Sequence, residues 1–188
     1  MNIAPQERRP ESVFNVRLGL FIAGFVGVCV AVASMRSIEW AVVKWTLRNR
    51  FPQVQWITTG ELSQWLQDKR RQPPVLLDVR TPEEWEVSHL PGARRVDPDA
   101  DPAEVMKDVA NDSPIVTYCA VGYRSAEMVE RLQKAGFSNV RNLEGSIFQW
   151  ANEKRPLVRG DQPVQQVHPY DGVWGKLLDE KVRAPLAR

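Results

Sequence analysis

Residues 115–136, IVTYCAVGYRSAEMVERLQKAG, indicate the fold of this chain most clearly. In this stretch an apolar run is followed by a cysteine and then by a helical pattern. The run at 115–118 is typical of a buried strand. Beyond the turn, apolar residues recur at helical spacing: Ala126, Val129, Leu132 and Ala135. Gly136 is a typical helix stop. The sequence therefore predicts a strand, a tight turn and a helix in succession, with Cys119 at the end of the strand.

The same alternation of strand and helix continues on both sides of this stretch. Four more apolar runs predict strands: 54–57, 75–79, 93–96 and 139–143. Signals for helix starts lie between them: Thr59, Thr81 with Pro82, and Asp101 with Pro102. Such alternation requires crossover connections and predicts a largely parallel sheet in an α/β fold. Binding sites of these sheets lie beyond the carboxyl ends of the strands, so we expect Asp78 and Cys119 on one rim.

The composition excludes several classes of protein. A chain of 188 residues has room for one ordinary domain with extensions. Its net charge of +2 is small and evenly spread, which argues against nucleic acid as a partner. The two cysteines, Cys29 and Cys119, cannot form a disulfide framework, and no cluster of Cys or His has the spacing of a zinc site. We therefore expect no metal, no cofactor and a free thiol at Cys119.

The N-terminal segment contains a long apolar stretch. Residues 18–35, LGLFIAGFVGVCVAVASM, carry no charge and have an arginine on either side. A helix of this length measures about 27 Å, close to the thickness of the hydrocarbon core of a bilayer. We predict a transmembrane helix in a segment covering residues 1–36, which makes a membrane a partner of this chain. The alternative is a signal peptide cleaved before Ser34, after Ala-Val-Ala, which would give a secreted protein.

Residues 37–52 predict an amphipathic, interfacial helix that continues from this span. Its apolar residues fall roughly on one face: Ile38, Ala41, Val42, Trp45 and Phe51. One more Lys or Arg follows the span than precedes it, which favours a single-pass protein with its C-terminal part on the cytoplasmic side. A free catalytic thiol is also kept reduced in that compartment.

The turn after Cys119 is suited to hold an anion. Successive amide N–H groups in such a turn point inward, and the N-terminus of the following helix adds partial positive charge. Gly122 permits backbone conformations that a side chain would forbid, and Arg124 supplies a guanidinium. These features favour a thiolate at Cys119. We therefore interpret Cys119 as a nucleophile and not as a small buried hydrophobe, although free cysteines often are buried.

Three motifs resemble the rhodanese, or sulfurtransferase, domain family. They are LLDVRTPEEWEVSHLPGAR (76–94), YCAVGYRSA (118–126) and GFSNVRNLEGSIFQW (136–150). The resemblance covers about residues 53–156 and implies a five-stranded parallel sheet with helices on both sides. The remaining tail, residues 157–188, is rich in proline and is predicted as loop with one short helix near 173–182.

The resemblance also implies the roles of individual residues. Cys119 matches the family nucleophile, which takes the outer sulfur of thiosulfate or a persulfide donor and passes it to cyanide or a thiol acceptor. The cradle around the transferred sulfur corresponds to Ala120, Val121, Gly122, Tyr123 and Ser125, and Arg124 would hold the donor's anionic group. Asp78 and Arg80 match an ionic network that supports the rim. Glu84 and His89 are implied to be structural in the same way.

Departures from the family pattern leave other functions open. Ala120 stands where active single-domain members often carry Arg, and this loss of positive charge argues against a dianionic donor such as thiosulfate. Ser88 and Ser146 stand where the family usually has Gly. Phosphatase relatives place one residue more between cysteine and arginine, so the shorter spacing from Cys119 to Arg124 disfavours a phosphatase. A non-catalytic, membrane-tethered module that binds or senses a partner is the second alternative, and the sequence does not identify such a protein partner.

Overall fold

The structure, a computed structural model, describes residues 36–186. The chain divides into two units, residues 1–39 and 40–188, and of the first unit only the helical residues 36–39 are described. The predicted transmembrane residues 18–35 lie outside the described residues. Within the described part of the chain, no helix is long and apolar enough to cross a membrane.

Five strands form one parallel sheet at the centre of the second unit. The strands are β1 (Gln55–Ile57), β2 (Val75–Asp78), β3 (Arg94–Arg95), β4 (Ile115–Tyr118) and β5 (Val140–Leu143). They lie in the order β1-β5-β4-β2-β3, and every pairing is parallel. The prediction of a five-stranded parallel sheet is therefore confirmed. Since β4 is the central strand and wholly buried, Cys119 leaves the middle of the carboxyl edge.

Helices connect and cover these strands. They are α1 (36–50), α2 (Thr59–Gln67), α3 (Pro82–Val87), α4 (Pro102–Val105), α5 (Tyr123–Lys134) and α6 (Ser146–Asn152). Thr81 caps α3 and Pro82 is its first residue, as the sequence predicts. The cap of α2 is Thr58 and not Thr59, because Glu61 completes a capping box with Thr58.

Apolar side chains fill one layer on each side of the sheet. Successive residues of a strand point to opposite faces. Leu76 and Val116 accordingly belong to the cluster that includes α6, whereas Leu77 and Ile115 belong to the cluster that includes α5. Cys119 lies in the second of these clusters. The nucleophile candidate is thus surrounded by the packing of β4 and α5.

Helix α1 packs on the domain through part of its apolar surface. Leu47 and the following Phe51 are buried, and Val43 packs against both clusters. Val42 and Trp45 are exposed. The apolar residues predicted for an interfacial helix at 37–52 are therefore divided between the protein core and the exterior.

The chain after residue 156 adds a hairpin that the sequence does not predict. Strands β6 (Leu157–Arg159) and β7 (Gln162–Val164) pair antiparallel, and two short 3-10 helices follow, Trp174–Leu177 and Glu180–Val182. Several side chains of this region are buried in the cluster on the α6 side: Leu157, Val167, Leu177, Leu178 and Val182. Strands of three residues are too short for a hydrophobic alternation to distinguish them from loop. The region shares the core of the domain.

Candidate active site

Cys119 is a free, buried cysteine directly beyond the end of β4. Its Sγ accepts a hydrogen bond from the N–H of Gly122 at 3.1 Å. The N–H of Cys119 donates to Ser146 Oγ at 3.2 Å, and its carbonyl accepts from the N–H of Ile147 at 3.2 Å. The backbone of Cys119 is thus held on both sides by the start of α6, while a backbone donor points at its sulfur. An N–H directed at a sulfur stabilises negative charge on it.

The turn after Cys119 is tighter than the sequence predicts. Helix α5 begins at Tyr123, two residues before the predicted start at Ser125. Gly122 caps this helix with φ +118 and ψ 0 in the left-handed region. A Cβ at Gly122 would lie 3.4 Å from Leu47, an ordinary contact distance, so conformation and not space requires glycine here. Arg124 therefore lies in the first turn of α5.

Two side chains of β5 and α6 hold the cradle in place, and the sequence motifs did not identify either as a site residue. Asn142 Nδ2 donates to the carbonyl of Gly122 at 2.8 Å. Ser146 Oγ donates to the carbonyl of Leu143 at 3.1 Å while it accepts from Cys119. Ser146 has φ +48, a left-handed conformation that favours glycine. The serine thus occupies a conformation that ordinarily favours glycine, and its hydroxyl accepts a hydrogen bond from the backbone of the candidate nucleophile.

Arg124 forms a bidentate ion pair with Glu84. Both terminal nitrogens of Arg124 lie 2.8 Å from the carboxylate oxygens of Glu84, and the Glu84 side chain is 2% exposed. Burial opposes the charge of Arg124, but the hydrogen bonds that Arg124 donates to Glu84 outweigh it and raise the pKa of the guanidinium. Glu84 thus neutralises much of the positive charge of Arg124, the residue that the resemblance implied would hold the anionic group of a donor. The pairing spans 40 residues of sequence, so spacing gave no signal for it.

Asp78 and Arg80 form a buried ion pair below the rim. Arg80 Nη2 lies 2.6 Å from an oxygen of Asp78, and neither side chain is exposed. Arg80 also donates to the carbonyls of Ser88 at 2.6 Å and Glu84 at 3.3 Å. Burial opposes the charge of Arg80, but Asp78 raises the pKa of the guanidinium overall. This pair fixes the backbone of α3, and Arg80 also lies over the ring of Tyr118, the residue directly before Cys119.

His89 lies apart from the cradle. Its ring stacks on Trp85 with centroids 3.6 Å apart, and its backbone bridges to Val158. Burial is the main cause that lowers the pKa of His89, so its ring is neutral near pH 7. Within residues 36–186, no group of His, Cys, Asp and Glu side chains could hold a metal ion.

A cavity of about 470 Å³ opens in front of Cys119. Its floor consists of cradle residues: Cys119, Ala120, Val121, Tyr123 and Arg124. Its walls come from α1 and from the region after β7: Val42, Val43, Thr46, Leu47, Tyr170 and Trp174. Gly122 and Ser125 do not line the cavity, and Gly122 contributes its amide instead. The walls lie outside the motifs that identified the floor, so no motif predicted them as part of the site.

A buried thiol lies at the carboxyl edge of a parallel α/β sheet, where an amide N–H donates to its sulfur and a helix begins. This arrangement is typical of cysteine-based group-transfer or binding sites. The rhodanese-like domain family matches residues 58–153, about half of the chain, and the chain belongs to this family. A solved structure, the BH2092 protein from Bacillus halodurans, has the same fold, with a TM-score of 0.51 and 22% identity. The similarity covers 55% of this chain and 76% of that protein.

Two relatives carry sulfurtransferase in their names. The probable adenylyltransferase/sulfurtransferase MoeZ of Mycobacterium tuberculosis is 38% identical over 101 residues, which are 53% of this chain and 25% of MoeZ. A sulfurtransferase of Allochromatium vinosum is 33% identical over 102 residues, which are 54% of this chain and 92% of that protein. The chain therefore spans about a quarter of MoeZ and most of the Allochromatium protein.

Proposed function

We propose that this protein is a sulfurtransferase that carries a sulfane sulfur as a persulfide on Cys119. The observation that carries the proposal is the hydrogen bond from Gly122 N–H to Cys119 Sγ at the floor of an open cavity. The sulfur is held ready for attack, and a substrate has space in front of it. The relatives named sulfurtransferase support the same chemistry.

The proposed reaction has two displacements at sulfur. The Cys119 thiolate attacks the outer sulfur of a donor R–S–SH, the donor S–S bond breaks, and R–S⁻ leaves and takes up a proton. Cys119–S–SH remains. An acceptor thiolate R′–S⁻ then attacks its outer sulfur, which gives R′–S–SH and restores the Cys119 thiolate. No oxidant or reductant is consumed, because the sulfane sulfur keeps its oxidation state.

The residues around Cys119 contribute by position and charge. The N–H of Gly122 stabilises negative charge on Sγ, first on the thiolate and again when it is the leaving group. Asn142 and Ser146 fix the turn and the backbone of Cys119. Arg124, oriented by Glu84, adds positive charge at the edge of the cavity. Since five positions separate Cys119 from Arg124 and α5 begins at Tyr123, the cradle is short, which suits one sulfur atom better than a phosphate.

The experiment is detection of the covalent intermediate on the full-length protein. After incubation with a persulfide donor or thiosulfate, mass spectrometry should find one added sulfur atom on the peptide that contains Cys119. Cyanide should remove this sulfur and yield thiocyanate, and Cys119→Ser should form none. Absence of added sulfur with every donor would favour the non-catalytic binding module instead.

We further infer that residues 18–35 anchor the chain in a membrane as a single-pass protein, with the domain on the cytoplasmic side. Support comes from the uncharged length of this stretch and the distribution of Lys and Arg around it. The full-length chain should remain with membranes after alkaline extraction, and a chain lacking residues 1–35 should not. A mature protein that begins at Ser34 would overturn the anchor.

A further inference from the structure

We propose that the sulfur donor is an organic persulfide, R–S–SH, whose carbon group R is apolar and lies in the cavity between α1 and the region after β7. This proposal rests on the proposed function and names its substrate class. It differs from the expectation of thiosulfate, which is a small dianion without a carbon group.

The walls of the cavity have the chemistry of a hydrocarbon site. Val42, Val43 and Leu47 line it from α1, and Trp174 lines it from the region after β7. Ala120 and Val121 continue the apolar surface on the floor next to Cys119. Small-molecule sites are usually lined in this way, with few polar groups that fix orientation. A carbon group attached to the donor would thus be removed from water when its sulfur reaches Cys119.

The charge of the cavity does not match a dianion. Among the described residues that line it, Arg124 is the only Lys, Arg, Asp or Glu, and the reacting Cys119 is itself anionic when it attacks. Its two terminal nitrogens already donate to Glu84 at 2.8 Å, and Glu84 is 2% exposed. An anion that enters must leave water and meets a cation that is already paired, which is unfavourable. A persulfide brings at most one negative charge, on the sulfur that Cys119 attacks.

The size of the cavity also exceeds what thiosulfate needs. A volume of about 470 Å³ lies within the usual range of sites for organic ligands, roughly 300–1,000 Å³. The cradle accommodates the sulfur, and the space between Val42 and Trp174 remains for the group that carries it.

The walls are a property of this chain and not of the matched family region. That region covers residues 58–153, whereas the wall residues lie before it on α1 and after it at Tyr170 and Trp174. Tyr170 is held under the guanidinium of Arg124, with its ring centroid 4.8 Å from Cζ. The floor of the cavity therefore carries the reacting Cys119, whereas α1 and the region after β7 determine which group R the cavity accepts.

The test compares donors on the full-length protein. Ethyl, butyl and hexyl persulfides are generated in situ, cyanide is the acceptor, and thiocyanate is measured, with thiosulfate as the reference donor. We expect kcat/KM to rise by roughly threefold to fourfold for each buried methylene, the factor for transferring one CH₂ from water. Thiosulfate should have the lowest value. A value of kcat/KM that is independent of chain length, with thiosulfate equally good, would overturn the apolar donor and leave the persulfide mechanism standing.

Two variants locate the effect in the cavity. Val42→Asp changes a wall residue that is 56% exposed, so the fold tolerates the charge, and it should lower kcat/KM for hexyl persulfide at least tenfold. Val173→Asp is the matched control, because Val173 is 72% exposed and does not line the cavity. It should leave the value unchanged. Equal effects of both variants would contradict the assignment, whereas no turnover with any donor would overturn the proposed function itself.

Discussion

At the scale of single residues, the site depends on how Arg124 is paired. A guanidinium next to a reactive thiol would ordinarily attract anionic substrates. Here Glu84 accepts hydrogen bonds from both terminal nitrogens of Arg124, and Ala120 stands where members of the family often carry a second cation. The thiol therefore has an amide donor and a balanced ion pair beside it, which supports the proposal of a donor with little charge.

Replacing Ala120 tests this balance directly. Ala120→Arg places a second cation in the cavity, so kcat/KM for thiosulfate should rise by about tenfold, equivalent to roughly 1.4 kcal/mol. Hexyl persulfide should be used less well by the same variant, because the arginine occupies apolar space. Steady-state kinetics with both donors checks this expectation. Ala120→Leu is the control for size, and it should not improve thiosulfate.

The ion pair of Glu84 also predicts how stability depends on pH. Burial raises the pKa of Glu84, but the hydrogen bonds and charge of Arg124 outweigh it and lower the pKa overall. A carboxyl whose pKa is lowered by folding stabilises the protein above its unfolded pKa of about 4.3. That stability is lost as the pH falls through the folded pKa. Urea unfolding of the wild type should therefore become easier below about pH 4.

Glu84→Gln isolates this contribution. The variant leaves Arg124 partly buried without its counter-charge, so the free energy of unfolding at pH 7 should fall by about 2–4 kcal/mol. Its unfolding should also depend less on pH between about 3 and 5 than that of the wild type. An unchanged pH dependence would show that other carboxylates dominate acid unfolding.

At the scale of elements, the central unit is β4, the turn and α5. The strand ends in the middle of the sheet, Gly122 reverses the chain within three residues, and α5 begins at once. The left-handed φ of Gly122 directs its amide at Cys119 and its carbonyl at Asn142. The position of the donor thus depends on one backbone conformation.

Gly122→Ala tests this dependence. A side chain at φ +118 is strained, so the variant should lose about 1–3 kcal/mol of stability, and the sulfur transfer rate should fall at least tenfold. Gly160→Ala is the matched control, because Gly160 also has a positive φ and no atom near a new Cβ, but lies in the β6–β7 hairpin. That variant should be destabilised and keep its activity. If Gly122→Ala and Gly160→Ala both lost activity, the lower activity of Gly122→Ala would be explained by its lower stability alone.

The sequence predicted the parts of the site that depend on neighbouring residues. The strand at 115–118, the glycine turn and the caps Thr81 and Asp101 are local signals, and the parallel sheet follows from the alternation of strands and helices. The pairing of Arg124 with Glu84 and the walls from α1 and Tyr170 depend on residues far apart in sequence. Contacts between such residues are determined by tertiary packing, and the periodicity of apolar residues in the sequence does not predict them. Ser146 was visible as a departure from the family pattern, but its bond to Cys119 was not.

At the scale of the whole molecule, the described domain is larger than its family match. Residues 157–186 bury apolar side chains in the same cluster as α6, and Leu47 of α1 and the following Phe51 are buried in the other cluster. Both additions meet at the cavity in front of Cys119. The additions therefore stabilise the domain and shape its site at the same time.

Removing the C-terminal addition should therefore affect stability first. A chain truncated after Pro156 exposes the surface that Val167, Leu178 and Val182 cover, all of them buried. Each such side chain contributes roughly 1.5–3 kcal/mol, so the loss is comparable to the whole stability of a small domain. We expect no cooperative thermal transition in this variant by circular dichroism. A truncated chain that unfolds cooperatively near the wild-type temperature would contradict this assignment.

The most direct test of the central claim is the mass of the Cys119 peptide after a single incubation of the full-length protein with a persulfide donor. We expect one additional sulfur atom on that peptide, removed by cyanide with release of thiocyanate. Cys119→Ser retains Cys29 and should gain no sulfur. A wild-type peptide without added sulfur, or equal labelling of the Cys119→Ser variant, would contradict the account.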